Sequence, residues 1–460
     1  MSSVPPVESL PGGQDTIVAL ATAPGRSAIS VVRLSGMAAL EVASRIVTPW
    51  PLEPRRTTLC RITDASKSRI VDQALVTVFV EPDSFTGENL VEISGHGGLY
   101  VPAALLSTLI ACGARLAEPG EFTRRAVLNG KLDIVQAEAI GDIVDARSEA
   151  MHRTAVRQLD GGLSRRLERL RHDVVSVESL IVYDIDFPEE DDGPIARERV
   201  SAEVEMLLIS LDALLATVPV GEMIREGAVV VIAGEPNVGK SSLFNALLGQ
   251  SRAIVTEIPG TTRDAIESFL ETDNWPLRLV DTAGLRETAD VVERIGIEVS
   301  ERYLRWATIV LACGDSNASV LRVVEALEGR TTAPVLRVRT KIDLLAADAN
   351  ENPDDQVRVS AETGDGLKDL LEEIDNRLSS TADAAIADMP VLTRSRHIHG
   401  IRQAREEVAA FGAAWKTGQL PAPVAAVHLR SAAIALESLI GAVSTEDVLD
   451  RVFSSFCVGK

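Results

Sequence analysis

Residues Gly234–Ser242 read GEPNVGKSS and predict the architecture of the centre of the chain. They follow the apolar, β-branched run Ala228–Ala233 and lead into SLFNALLG, a favourable helix start. This is the G-x-x-x-x-G-K-S phosphate loop in a strand–loop–helix setting. Its glycines let backbone N–H groups face phosphate oxygens, Lys240 reaches the β- and γ-phosphates, and the Ser241 hydroxyl ligates Mg²⁺. The loop residues predicted to contact nucleotide are Asn237, Val238, Gly239, Lys240, Ser241 and Ser242.

Two further segments follow the phosphate loop in the order that GTPases use. The stretch IPGTTRD, Ile258–Asp264, fits a switch I loop in which Thr262 closes over Mg²⁺. The stretch LRLVDTAG, Leu277–Gly284, is a strand that ends in D-x-x-G. We expect Asp281 to hold Mg²⁺ through water and the Gly284 N–H to sense the γ-phosphate. The neighbouring residues predicted to contact nucleotide are Thr256, Thr261, Thr282 and Ala283.

The next two segments predict that the base is guanine. The strand Val335–Asp343 ends in TKID, where Asp343 would accept hydrogen bonds from the guanine N1–H and N2–H₂. The usual motif is N-K-x-D, and Thr340 replaces its asparagine. Because threonine is shorter, its contacts differ; we expect guanine selection to be retained, with weaker binding as an open outcome. The remaining predicted base contacts are Lys341 and the VRVSAET residues Ser360, Ala361 and Glu362.

The hydrolysis machinery departs from the Ras pattern. Ras-like GTPases carry a glutamine directly after D-x-x-G that orients the attacking water. Here that position is Leu285, which has no polar group, and the following stretch offers Glu287 and Glu293 instead. No arginine finger is evident in the sequence. A monovalent cation can supply part of that positive charge, and Asn237 is placed to ligate one.

Bulk properties restrict the class of protein. The length of 460 residues predicts about three domains. The net charge of −21 argues against broad electrostatic attachment to nucleic acid or an anionic membrane, but not against a local basic site. The start of the sequence lacks a signal-peptide pattern, and the longest apolar stretch, 102–117, is too short and polar to span a bilayer. Four cysteines without metal-ligand spacing predict free thiols in a reducing cytoplasm.

The flanking regions differ in pattern. From Asp15 short β-like runs alternate with turns and predict an α+β domain, with Arg33 just after one run. From Lys131 the pattern becomes helical, and a 4-3 apolar stripe starts at Leu163. We expect the two helical flanks to pack together around the nucleotide domain. The predicted division is a disordered tail at 1–14, an N-terminal domain at 15–130, a discontinuous helical domain at 131–226 and 383–460, and an inserted G domain at 227–382.

Several motifs together resemble a known family. GEPNVGKS, GTTRD, DTAGLRE, VERIG and the terminal FSSFCVGK resemble the MnmE (TrmE) tRNA modification GTPases, and the resemblance extends from Asp15 to Lys460. It implies a folate-binding-like α+β N-terminal domain that also dimerises the protein, a helical central domain and an inserted Ras-like α/β G domain. It further implies that GTP hydrolysis drives C5 modification of the wobble uridine of certain tRNAs. The implied carbon donor is 5-formyl- or 5,10-methylene-tetrahydrofolate, and the implied partner is an FAD-dependent MnmG-like subunit in a heterotetramer.

The resemblance also implies roles for individual residues. Glu293 matches the family's water-orienting acid, and Arg263 matches a switch I arginine. Cys457 is either a nucleophile or a buried structural thiol. The implied potassium ligands, which promote G-domain dimerisation, are Asn237, Thr256, Ile258 and Thr261. The implied folate contacts are Arg33, Glu92, Lys131 and Lys460.

Two other functions stay open at this point. A ribosome-assembly GTPase shares the PNVGKS loop, although the chain shows no basic tail or RNA-binding module of the usual kind. A folate-dependent one-carbon transferase with a regulatory G domain is the second. The sequence does not decide which tRNAs are used, or whether glycine or ammonium supplies the nitrogen.

Overall fold

The computed structural model describes most of the chain as two compact units. The described residues are 15–64, 69–186, 197–250, 266–272, 274–281, 302–344, 355–386, 389–418, 421–441, 452–453, 456 and 459. One unit comprises Met1–Gly141 with Ile440–Lys460, and the other comprises Asp142–Leu439. The domain boundaries given above stay a prediction.

The first unit contains an open sheet whose described strands follow the order β3-β4-β5-β6-β2-β1-β7. Its strands are β1 (Ile17–Leu20), β2 (Ile29–Ser35), β3 (Val47–Thr48), β4 (Thr58–Asp64), β5 (Arg69–Phe79), β6 (Leu90–His96) and β7 (Arg115–Leu116). Its helices are α1 (Ala39–Ser44), α2 (Tyr100–Ala111), α3 (Glu121–Leu128) and α4 (Ile134–Asp145), the last of which ends in the second unit. Alternate residues such as Val32, Val76 and Ile93 are buried, as expected for a sheet with one core face.

The sheet corrects the expected position of Arg33. Arg33 lies inside β2 rather than after a strand, and its Cα partner on the antiparallel strand β6 is Glu92. The opposite charge on the neighbouring strand compensates the guanidinium, so a charged residue is accommodated within the strand.

A buried ionic network fixes the start of this unit. Arg125 of α3 donates hydrogen bonds to Asp15, Glu88 and Glu121. Burial opposes ionisation of Glu121, but hydrogen bonds from Arg115 and Arg125 lower the pKa of its carboxyl below the usual value. The network joins Asp15, two residues before the first strand, to a helix more than a hundred positions later.

The second unit begins with helices, one of which buries the predicted apolar stripe. These helices are α5 (Glu149–Leu159), α6 (Gly162–Asp186), α7 (Arg197–Leu215) and α8 (Val218–Glu226). The stripe residues of α6 are at most 2% exposed: Leu163, Leu167, Leu170, Val174, Val177 and Ile181. The later helices α12 (Ser395–Thr417) and α13 (Ala422–Ile440) also belong to this unit. α12 packs against α7, and Arg405 pairs with Asp212 at 2.9 Å.

A mainly parallel sheet carries the phosphate loop, and its described strands follow the order β13-β12-β11-β8-β10-β9. The strands are β8 (Ala228–Gly234), β9 (Ile266–Glu271), β10 (Pro276–Asp281), β11 (Ile309–Gly314), β12 (Val335–Arg339) and β13 (Gln356–Arg358). The associated helices are α9 (Lys240–Gln250), α10 (Asn317–Leu327) and α11 (Leu367–Ile386). β9 and β10 are antiparallel, and the other pairs are parallel. β8 lies between β10 and β11, and ligands of such sheets bind beyond the carboxyl ends of the strands.

Among the described residues, two helical stretches are long and apolar enough to cross a membrane by length and composition, namely Arg197–Glu226 and Pro423–Ile440. Core helices pass the same test. In the first stretch Val204, Leu207 and Leu211 are buried within the unit, which is the arrangement of a core helix.

Gly221 is a position where the packing excludes any side chain. A Cβ on Gly221 of α8 would lie 1.9 Å from the carbonyl oxygen of Leu392. We expect Gly221→Ala to destabilise the second unit by about 3 kcal/mol because backbone atoms must move. Thermal unfolding of the purified protein measures the effect. The matched control is Gly249→Ala in α9, where a Cβ meets nothing within 4 Å and alanine favours the helix. Equal unfolding midpoints for the two variants would contradict the prediction.

Candidate nucleotide-binding site

The phosphate loop connects the carboxyl end of β8 to the N-terminus of α9. Asn237 and Gly239 have left-handed backbone angles, with φ of 62° and 97°. Gly234 is required by close approach, since a Cβ there would lie 2.5 Å from the carbonyl oxygen of Cys313 on β11. The loop thus turns sharply between a buried strand and a helix N-terminus, a combination that favours anions.

Lys240, predicted to contact phosphate, and Ser241, predicted to contact Mg²⁺, are hydrogen-bonded to other residues of the site. The Lys240 ammonium is mostly buried and donates a hydrogen bond of 2.8 Å to the carbonyl oxygen of Glu235. The Ser241 hydroxyl donates 2.8 Å to Oδ2 of Asp281 at the end of β10. A hydroxyl and a carboxylate are ligand types that suit Mg²⁺, so the pair fits that ion, which would neutralise phosphate charge. The other predicted Mg²⁺ ligand, Thr262, lies outside the described residues.

The guanine motif is held in place by Ser360. Asp343 lies in a 3₁₀ turn, Ile342–Leu344, and its Oδ1 accepts a hydrogen bond of 2.6 Å from the Ser360 hydroxyl. The same hydroxyl oxygen accepts from the backbone N–H of Glu362 at 3.3 Å. Ser360 is fully buried. Its hydroxyl therefore fixes both the carboxylate and the Ser360–Glu362 turn that the sequence assigned to the base.

Lys341 and Thr340 connect the guanine motif to the phosphate loop. Lys341 has a left-handed backbone, with φ of 57°, and its ammonium donates 2.6 Å to the carbonyl oxygen of Asn237. The buried Thr340 hydroxyl lies 2.5 Å from the carbonyl oxygen of Val238 and 3.2 Å from that of Gly314. Both acceptors are protein carbonyls. The Thr340 side chain, although short, thus connects the guanine motif to the phosphate loop by a hydrogen bond.

Thr340 has a consequence for base recognition. A hydroxyl has one proton to donate, whereas an asparagine amide has two. Because the Thr340 proton is directed to protein carbonyls, we expect no donation to the N7 acceptor of guanine. 7-Deaza-GTP should then bind within about twofold of GTP, and Thr340→Asn should favour GTP by about fivefold, the effect of one hydrogen bond. Competition against a fluorescent guanine nucleotide measures both ratios. A tenfold preference of the unaltered protein for GTP would contradict this prediction.

One charged cluster at the phosphate loop was missed by sequence reasoning. The Glu235 carboxylate accepts hydrogen bonds from Arg322 of α10 at 2.9 and 3.0 Å and from the Ser319 hydroxyl at 2.7 Å. The hydrogen bond from Arg322, followed by that from Ser319, lowers the pKa of Glu235 to about 2. Arg322 thus compensates the negative charge of an acidic residue that belongs to the phosphate loop. Glu235 could be recognised inside the loop from the sequence, but no local pattern indicated that Arg322 would be its partner.

Several predicted residues lie outside the described part of the chain, and their roles stay predictions. They are Thr256, Ile258, Thr261, Thr262, Arg263, Thr282, Ala283, Gly284, Leu285, Glu287, Glu293, Cys457 and Lys460. Among the described cysteines, Cys60, Cys112 and Cys313 are free thiols, as predicted. Burial raises the pKa of Cys313, next to the phosphate loop, to about 12.

In the first unit the structure pairs two of the residues predicted to contact folate. Arg33 donates from Nε and Nη2 to one oxygen of Glu92, at 3.0 and 2.7 Å. The Arg33 guanidinium also lies 5.6 Å from the ring centre of Phe85. Lys131 donates 3.1 Å to the carbonyl oxygen of Pro82, and a Cβ on Gly87 would lie 3.3 Å from its Cγ. The segment 82–87 therefore contacts both Arg33 and Lys131.

These groups fit a folate chemically. A guanidinium or an ammonium suits the carboxylates and carbonyls of the ligand, and a carboxylate suits the N–H donors of a pterin ring. The partly exposed Phe85 offers an aromatic face next to the pair. Such a ligand would supply a one-carbon unit when bound.

The fold and the site define a P-loop protein that binds guanine nucleotides. The family model described as "MnmE helical domain" matches residues 134–457, and the one described as "GTP-binding protein TrmE N-terminus" matches residues 16–131. A tRNA modification GTPase MnmE from Moorella thermoacetica is 41% identical, over 97% of this chain and 99% of that protein. The proteins of that name from Akkermansia muciniphila and Aquifex aeolicus are 43% and 38% identical, with 97% of this chain covered in each case and 99% and 100% of theirs.

This chain belongs to the MnmE family of tRNA modification GTPases, and it is a GTPase. The resemblance drawn from its sequence motifs is confirmed. The arrangement of an N-terminal domain, a helical domain and a G domain agrees with the two family models and with the phosphate-loop sheet.

Proposed function

We propose that this protein hydrolyses GTP to drive modification of the wobble uridine of certain tRNAs at C5. The observation that carries the proposal is the similarity, over nearly the whole chain, to proteins named tRNA modification GTPase MnmE. The carbon comes from 5-formyl- or 5,10-methylene-tetrahydrofolate, a role supported by the Arg33–Glu92 pair beside Phe85. An FAD-dependent MnmG-like subunit acts with it in the cytoplasm, in a heterotetramer.

Mass spectrometry of tRNA nucleosides from cells that lack the gene tests this function. We expect the C5-modified wobble uridine to disappear and to return when the gene is restored. Restoration with Arg33→Ala tests the folate role, because loss of the guanidinium removes a ligand contact and leaves the nucleotide site intact. Unchanged wobble uridines in the deletion strain would contradict the function and leave ribosome assembly or small-molecule one-carbon transfer as the alternatives. Full restoration by Arg33→Ala would contradict the folate site alone.

We further propose that the protein is a homodimer through its first unit. Leu59 on β4 and Leu75 on β5 are Cα partners, and their side chains are 64% and 47% exposed. Adjacent exposed leucines on a sheet face favour burial against a second copy. Sedimentation equilibrium should give a dimer for the full chain and a monomer for Leu59→Lys/Leu75→Lys. A double variant that remains a dimer would place the interface elsewhere.

Potassium is proposed to stimulate hydrolysis by G-domain dimerisation. Leu285 lacks a group to orient water, so Glu293 takes that role. The cation supplies the positive charge that an arginine finger provides in other GTPases. Arg263 belongs to switch I and is the second residue assigned to the reaction. The Asn237 side chain is exposed in the phosphate loop, which supports its role as a ligand together with Thr256, Ile258 and Thr261.

The cation dependence of hydrolysis tests this proposal. We expect GTP hydrolysis to be about tenfold faster in potassium than in sodium, because a stabilising positive charge in the transition state contributes on this scale or more. Asn237→Gly keeps the left-handed backbone and should remove the difference while it retains GTP binding. Glu293→Ala should bind GTP normally and lose hydrolysis in both salts. Equal rates of the unaltered protein in the two salts would remove potassium from the mechanism.

A further inference from the structure

A cavity of about 740 Å³ in the second unit is lined by four arginines. Arg153 and Arg157 are one turn apart on α5, and Arg165 and Arg169 are one turn apart on α6. Residues four positions apart lie on the same helix face, so each helix presents two guanidinium groups on one side. We call these four side chains and the space between them the arginine pocket. Other parts of its wall are formed by Gln158, Leu163, Ile224, Trp275 and Val391.

The arginine pocket is a concentration of positive charge on an acidic protein. Arg165 donates 2.6 Å to the carbonyl oxygen of Asp160, and Arg169 donates 3.2 Å to that of Arg165. Within the described part of the chain, no ion pair joins any of the four guanidinium groups to a carboxylate, although Asp160 lines the cavity. With a net charge of −21 for the whole chain, four arginines that share one cavity without an ion pair to a described carboxylate favour a polyanionic ligand there.

Gln158 supplies a second and independent observation. It is 2% exposed and lines the cavity. Its Nε2 donates to the carbonyl oxygen of Val391 at 3.1 Å and to the Thr393 hydroxyl at 3.3 Å, while its Oε1 is buried without a hydrogen-bond partner. Buried acceptors without a partner are rare, because each costs the desolvation of the group. A ligand that brings a hydrogen-bond donor would satisfy it.

We propose that the arginine pocket binds the sugar–phosphate backbone of the tRNA. Guanidinium groups bind phosphate oxygens through paired N–H donors. A ribose 2′-hydroxyl is the donor that distinguishes RNA from other polyphosphates, and it can donate to Gln158 Oε1. Contacts of this kind position an RNA without reading its bases. The inference rests on the proposed action on tRNA and assigns that partner to α5 and α6.

The test compares two variants of the full-length protein with the same loss of charge. The site variant is R153Q/R157Q/R165Q/R169Q. The control is R199Q/R402Q/K416Q/R430Q, which alters exposed cations on α7, α12 and α13 of the same unit. Binding of an unmodified tRNA transcript is measured by fluorescence anisotropy over a range of salt concentrations, and GTP hydrolysis without tRNA is measured for each protein.

We expect the site variant to bind tRNA at least about tenfold more weakly. The slope of log K against log salt should fall by about 3, since each lost phosphate contact removes about 0.7–0.9. The control should bind within about twofold of the unaltered protein, and hydrolysis without tRNA should be the same in all three. Unchanged tRNA affinity of the site variant, or an equal loss in the control, would overturn the arginine pocket as the binding site. No tRNA binding by the unaltered protein at any salt concentration would also overturn the arginine pocket, whereas the proposed function is overturned by unchanged wobble uridines in the deletion strain.

A second measurement uses the unaltered protein and so does not depend on the folding of a variant. Phenylglyoxal modifies accessible arginines, and peptide mass spectrometry locates the modified positions. Added tRNA should protect Arg153, Arg157, Arg165 and Arg169 and leave Arg199 and Arg402 reactive. Protection of the second group alone would overturn the proposal.

Discussion

Replacement of Asp343 by asparagine is expected to weaken GTP binding by about a thousandfold or more and to allow xanthosine triphosphate to bind instead. A carboxylate accepts from both the N1–H and the N2–H₂ of guanine. In the variant, the amide N–H of asparagine faces the N2–H₂ group of guanine, and neither group can accept a hydrogen bond. Sites that recognise a ligand through such hydrogen bonds reject a mismatched ligand by several orders of magnitude. Xanthine carries an oxygen at C2, which can accept from that amide.

The structure allows the Asp343→Asn variant to keep its fold. The Ser360 hydroxyl that donates to Asp343 can donate equally to the amide oxygen of asparagine. Asp365→Asn is the matched control, because Asp365 lies in the adjacent turn and accepts from the Thr363 hydroxyl at 2.8 Å. Competition of GTP and xanthosine triphosphate against a fluorescent nucleotide gives both affinities. If Asp343→Asn retained the selectivity of the unaltered protein, Asp343 could not be the base-recognising group.

Removal of the Lys240 ammonium is expected to reduce GTP hydrolysis by about 10²–10³-fold. Such a reduction is typical when one donor to the developing charge is lost from a site that excludes water. Lys240 is mostly buried at the start of α9 and donates to the Glu235 carbonyl. In Lys240→Ala that contact is lost, but the side chains of Glu235, Arg322 and Ser319 still join the loop to α10. The loop should therefore remain folded while it loses the positive charge of Lys240.

Steady-state hydrolysis and nucleotide titration measure the Lys240→Ala effect. Lys368→Ala is the control: Lys368 is 85% exposed in its side chain and pairs with Glu372 one turn away on α11. Its loss should change neither quantity measurably, because an exposed pair contributes little. Equal thermal unfolding of the two variants without nucleotide would show that the difference comes from the site. Hydrolysis by Lys240→Ala at the unaltered rate would exclude Lys240 from the reaction.

The local motifs were predictable because their chemistry is contiguous in the chain. The sequence GEPNVGKS contains the turn, the glycines and the helix start of one phosphate loop, and the structure has β8 and α9 on either side of it. The stripe of α6 was equally readable, since a 4-3 period places its residues on one face that the unit then buries. These features need no information about distant residues.

The pairings between distant segments were not predictable. Arg33 and Glu92 meet because β2 and β6 are neighbours in a particular register, which placed Arg33 within a strand rather than after one. Glu235 meets Arg322, and Thr340 meets Val238, because β8, β11 and β12 lie side by side. A shift of one residue in the register of β2 and β6 would place one of the Arg33 and Glu92 side chains on the other face of the sheet.

The guanine-nucleotide phosphate loop and the family of this protein can both be recognised from the order of its residues, because they follow from residue types at fixed local spacing. The tertiary structure is needed to identify what each polar group of the site is bound to. It showed that Thr340 serves the phosphate loop, that Arg322 compensates Glu235, and that arginines of α5 and α6 share one cavity. Hydrogen bonds and ion pairs depend on distances of a few ångströms, and those distances are set by the order of the strands and the packing of the helices.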